Sequence, residues 1–154
     1  NLAVAEKLGC SEEQLTRAIA LSNLITVYIK SYTGTLSAMC GCGVAAGVGA
    51  GAGVAYMLGG DEKTIYNAML NMIGSIAGVL CDGGKEGCAY KVALAAGWAV
   101  QSALLALEGL HIKAGDGILS EDLHGLFENL GSCTNSMFPA NHSMIEIIRK
   151  KEMC

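Results

Sequence analysis

Four cysteines stand beside glycines in two short stretches, Cys40-Gly41-Cys42 and the run CDGGKEGC from Cys81 to Cys88. Thiolates gathered this way are soft metal ligands or reactive groups. Asp82, Lys85 and Glu86 lie within the second stretch and Lys91 follows it, so groups able to carry a proton stand next to the sulfurs. Gly83, Gly84 and Gly87 let backbone N–H groups turn toward an anion, either cluster sulfide or a substrate carboxylate. The GGKEG run is not a Walker A loop, because the spacing differs and no serine or threonine follows the lysine.

The overall spacing, C-x-C, then about forty residues, then C-x6-C, matches neither a zinc ribbon nor a ferredoxin. On spacing alone two readings stay open. Cys40, Cys42, Cys81 and Cys88 hold an iron–sulfur cluster or a zinc ion, or they pack as small hydrophobes in a non-catalytic helical module. Cys10, Cys133 and Cys154 have no clustered neighbours and are read as packing residues. His111, His124 and His142 lie outside the constellation in sequence. Asn67 and Asn71 share a helix face at i, i+4, where they line a site or join two helices by hydrogen bonds. Tyr32, Thr33 and Ser37 precede the cysteine pair, within reach of whatever binds there.

The elements that must position these groups are helical. Ser11 with Gln14 three residues on forms a capping box for a helix over the following apolar face. Residues 35–58 are rich in glycine and alanine, and no charge occurs from Ser31 to Gly60. Asp61 caps the next helix, which runs toward Leu80. The 81–88 loop follows, then a third long helix from Cys88, a connector around HIKAGDGIL, a helix capped by Ser120 and ending near Leu130, and a C-terminal helix with cations near its end. The expected fold is all-α, a bundle of roughly six helices with buried Gly/Ala-rich central members. GLHIKAG is the one stretch that suits a short extended piece. If the two helices joined by the GGDEK turn are antiparallel and of similar length, residues near 40 return beside residues near 80, and three thiolates gather at one end.

Apolar residues make up 52% of the 154 and charged ones 16%, which implies extensive burial. A net charge of −4 leaves no basic footprint for nucleic acid. The 35–58 stretch has the length of a membrane span, but glycine and alanine supply little transfer energy and no aromatic belt flanks it. A soluble bundle, in which glycine admits close helix contact, accounts better for it. Thiol clusters without a secretory signal fit a reducing, cytoplasmic compartment.

The segments CGCGVAAGVGAGAGVAYMLGG and MIGSIAGVLCDGGKEGCAYK, with the alanine-rich helix after them, resemble the C-terminal part of the serine dehydratase alpha-chain superfamily, in its L-cysteine desulfidase-like branch. The resemblance covers about residues 11–150. It implies an all-helical domain, 1–154, as the cluster-binding part of a longer chain. That domain would hold an oxygen-sensitive [4Fe–4S] cluster on three cysteines, lost in aerobic preparations. The ligands it implies are Cys40 or Cys42, with Cys40 favoured by its position before LGG, then Cys81 and Cys88. The 81–88 loop is shorter than in the iron–sulfur serine dehydratases and favours the desulfidase branch. The implied reaction is α,β-elimination from a small L-amino acid, L-cysteine or L-serine. Lys85 and Asp82 are then candidates for proton transfer and substrate orientation, with Gly83, Gly84 and Asn71 as substrate contacts. The partner it implies is the N-terminal portion of the same protein; separately, so apolar a composition suits a partner surface such as that of a homo-oligomer.

Overall fold

The computed structural model describes residues 1–152, so Cys154 lies outside the described residues. Seven α-helices follow one another: α1 (Leu2–Leu8), α2 (Glu12–Thr33), α3 (Ala45–Met57), α4 (Glu62–Ile76), α5 (Gly87–Leu107), α6 (Leu123–Ser136) and α7 (Phe138–Glu152). The all-α expectation holds, and among the described residues there is no strand, GLHIKAG included.

Helix α3 is the centre of the bundle and packs against α2, α4 and α5. Most of it is buried, including Gly47, Val48, Gly49, Gly51, Ala52 and Val54, and only Ala46 in its first turn is exposed. An apolar helix with no polar face can only be an interior helix. Ile29, Val48, Met72, Ile73, Leu126, Phe127 and Leu130 belong to the core around it. Phe127 meets the Tyr28 ring edge-on at 5.3 Å and joins α6 to α2. Helix α5 is long and apolar enough to cross a bilayer, yet Ala95, Ala99, Ser102, Ala103 and Ala106 bury one edge of it within the fold.

The capping signals are partly those expected. Ser11 accepts from Gln14 N–H at 3.1 Å, and Asp61 accepts from Thr64 N–H at 2.8 Å. For α6 the cap is Asp122 rather than Ser120. Asp122 accepts from Gly125 N–H at 2.8 Å, and the Ser120 hydroxyl donates to Asp122 instead, so α6 starts later than expected and runs on to Ser136.

The largest departure lies at the glycine-rich segment. Helix begins only at Ala45, and α4 stops at Ile76 rather than near Leu80. The chain spends both stretches on each other. Cys40 N–H donates to Val79 O and Cys81 N–H to Ala38 O, each at 2.8 Å, around an antiparallel bridge between Met39 and Leu80. Backbone groups paired across the bundle cannot also serve a helix.

Asn71 shows how the third long helix and its connector are held. It is 4% exposed, and its amide donates to Ser102 O at 3.3 Å and Leu110 O at 3.1 Å. Its side-chain oxygen accepts from Ile112 N–H at 2.9 Å. One buried side chain thus satisfies backbone on α5 and on the connector after it. Asn71→Leu strands these groups without water, so urea unfolding is expected to show a loss of about 2–4 kcal/mol.

Candidate active site

The bridge is what gathers the thiols. Residues directly opposite in such a widely spaced antiparallel pair are about 4.5 Å apart at Cα. Cys40 and Cys81 each stand one residue from the Met39–Leu80 pair. The end of the second buried helix therefore does return to the residues before the glycine-rich helix. Cys40 is buried, and its Sγ accepts from Gly43 N–H at 3.4 Å. Cys42 is exposed, while Cys81 is half-buried. The two share the wall of a cavity of about 450 Å³ that also touches Lys30, Ser37 and Asn141.

Cys88 opens α5, and its Sγ donates to Gly83 O at 3.3 Å. Gly83 has φ +95°, in the left-handed region that a side chain at this position would strain. Gly84 faces open space. The loop is clamped from within. Asp82 pairs with both Lys85 and Lys91, and Lys91 also donates to Leu80 O at 2.7 Å. The hydrogen bonds from Lys85 and then Lys91 hold the Asp82 carboxyl well below the usual carboxylate range. The bond to Asp82 raises Lys91, and the nearby Cys40 and Cys88 thiols raise it further. Lys91 is thus an ammonium fixed by Asp82 and by Leu80 O at the end of the bridge. Since the Asp82 value is lowered, the clamp is complete above the ordinary carboxylate range and is lost only as pH falls through the lowered value.

The donor chemistry suits a soft metal: thiols from residues 40–42, from Cys81 and from Cys88, beside flexible glycine backbone and a fixed positive charge. The side chains themselves are those of free thiols. Among the described residues, no three His, Cys, Asp or Glu side chains stand together as a metal-ligand group. A three-sulfur set thus requires Cys40 or Cys42, Cys81 and Cys88 to move together from the positions they hold here.

The other sequence candidates disperse. Asn71 is spent on backbone, and Asn67 is buried in α4. Tyr32 O–H pairs with His124 Nδ1 at 2.7 Å, and Thr33 is buried. Ser37 does reach the thiol end, where its hydroxyl donates to Met39 O at 2.8 Å. His142 is exposed on α7, while Asn141 beside it lines the cavity. Cys133 lines a separate cavity of about 680 Å³ with Ile73 and Met137. Nothing in the sequence singles out Lys30. A lysine in the last turn of a helix is ordinary, and nothing in its spacing marks it.

Relatives cover nearly the whole of this chain. A UPF0597 protein of Clostridium tetani is 45% identical over 147 residues, 95% of this chain and 35% of the relative. A UPF0597 protein of Methanocella arvoryzae is 46% identical over 148 residues, covering 96% and 35%. One from Desulfatibacillum aliphaticivorans is 44% identical over 151 residues, covering 97% and 34%. The chain therefore spans about a third of the length of the curated relatives it matches. No solved structure matches it. The family model for the serine dehydratase alpha chain matches residues 1–145, so the chain belongs to the serine dehydratase alpha chain family.

Proposed function

We propose that the full-length protein is an iron–sulfur-dependent amino-acid lyase, and that this chain supplies the thiolate ligands of its [4Fe–4S] cluster. The observation that carries the reading is the backbone bridge that brings the 38–40 and 79–81 segments together, so that Cys40 and Cys81 are diagonal neighbours across it, with the first turns of α5 tied to the same end by the bond from Lys91 to Leu80 O. Cys40 or Cys42, with Cys81 and Cys88, would be the ligands. When bound, the cluster supplies a Lewis-acidic iron for the substrate. The chain's own residues do the rest. Asp82, held by Lys85 and Lys91, keeps the loop in place, and Gly83 and Gly84 leave backbone N–H groups open to an anion.

The substrate favoured is L-cysteine, with L-serine as the second member of the class. Removal of the α-proton and departure of hydrosulfide give aminoacrylate. One water then converts that to pyruvate and ammonia, so cysteine and water balance pyruvate, ammonia and hydrogen sulfide. Free thiols in these numbers suit a reducing cytoplasm.

Anaerobically purified full-length protein is expected to be brown, to carry about four irons and as many sulfides, and to release pyruvate and sulfide from L-cysteine. The 154-residue chain alone is expected to be inactive, since the remainder of the protein supplies further substrate contacts. A colourless protein holding zinc and releasing no pyruvate would overturn the reading in favour of a structural metal site.

A further inference from the structure

The cavity beside Cys81 has a lining that the elimination chemistry does not by itself require. Lys30 is the only charged side chain among the described residues that line it. The Lys30 ammonium donates to Thr35 O at 2.8 Å, which uses one of its three protons. It also lies directly over Gly41, where an added Cβ would come within 2.5 Å of Nζ. A side chain at Gly41 would thus displace the Lys30 ammonium from its seat on the turn that carries Cys40 and Cys42. Cys42, Cys81, Thr26 and Ser37 complete the nearby wall. The Ser37 hydroxyl spends its proton on Met39 O at 2.8 Å, so what it offers a ligand is lone pairs. A site with one cation, no carboxylate and a hydroxyl acceptor is complementary to a molecule bearing a carboxylate and an ammonium.

We infer that this cavity takes the α-carboxylate and α-ammonium of a small L-amino acid, with Lys30 as the binding partner of the carboxylate. The inference rests on the lyase reading for which amino acids matter, but the charge recognition itself is independent of turnover.

The test uses the full-length protein and a ligand that has no β-leaving group. Titration by saturation-transfer NMR is expected to show L-alanine bound at least about 10-fold more tightly than L-alaninamide, which lacks the carboxylate. Acetate is expected to displace L-alanine. Lys30→Gln is expected to abolish the preference and to raise KM for L-cysteine roughly 10- to 100-fold, with kcat, iron content and melting temperature far less changed. Lys30→Arg, which keeps the charge, is expected to restore most of the preference. Equal binding of acid and amide by the wild type, failure of acetate to compete, or an unchanged preference in Lys30→Gln would each overturn the inference. The first two hold even if Lys30→Gln does not fold. Protein that lacks iron and releases no pyruvate, yet shows a Lys30-dependent preference, would sink the lyase reading and leave this site standing.

Discussion

Cys81→Ala in the full-length protein is expected to abolish iron binding and to lower pyruvate release more than about 100-fold, while the fold survives. This residue has two separable roles. Its backbone N–H makes the bond to Ala38 O that holds the 79–81 segment against 38–40, and that bond does not depend on the side chain. Its sulfur is half-buried at the wall of the Lys30 cavity, where truncation leaves little void. Loss of a partner one shell removed from a metal already costs 10- to 100-fold, so loss of a ligand itself exceeds that range. Cys133→Ala, in a different cavity between α4 and α6, is expected to keep full iron and activity. Iron analysis and an L-cysteine assay on these two variants check the claim; iron retained by Cys81→Ala would defeat it. The same assays divide the remaining pair. A ligand at Cys40 predicts iron lost in Cys40→Ala, at a buried residue, and kept in Cys42→Ala, at an exposed one.

How far the site can be read from the chain depends on whether its determinants are local. Ser11 and Asp61 announce their helices because a cap acts within three residues, and both act as expected. The start of α6 carries two such residues two positions apart, and only the folded backbone decides for Asp122 over Ser120. Where α3 begins is a different matter. A glycine–alanine run without a charge has no polar edge to mark its first turn, and what stops the helix short is a pairing of residues 38–40 with 79–81. That pairing is non-local, so no periodicity reports it. The gathering of Cys40 near Cys81 could nevertheless be foreseen from helix lengths and a short turn, since antiparallel neighbours of similar length must return to the same end. The individual rotamers and the identity of Lys30 could not. Lys30 earns its position from Gly41, a contact between α2 and the loop before α3 that spacing along the chain does not encode.

Gly49→Ala tests that α2–α3 contact at its tightest point, and the expected result is a destabilisation of about 2 kcal/mol or more. Two effects oppose each other. Alanine in a helix interior is better than glycine by about 1 kcal/mol. Against that, a Cβ at Gly49 would fall inside contact distance of Ser22 O and of Thr26 Oγ1. Overpacking typically costs 1–3 kcal/mol, more where the neighbour cannot yield. Here the obstacle is the carbonyl of another helix, and the Thr26 hydroxyl is itself bonded to that carbonyl at 2.7 Å, so α2 must move as a body. Gly51, two residues on, provides the comparison. Its added Cβ would meet Met72 Cγ at 3.1 Å, the middle of a flexible side chain that can shift. Gly51→Ala is therefore expected to stay within about 1 kcal/mol of the wild type, because the propensity gain offsets the adjustment. Urea unfolding of both variants resolves the difference, and equal stability for the two would mean the helices are farther apart than the structure has them. The effect should also reach the site. Pushing α2 away from α3 carries Lys30 away from Gly41, so Gly49→Ala is expected to raise KM for the amino acid even under conditions where the protein remains folded.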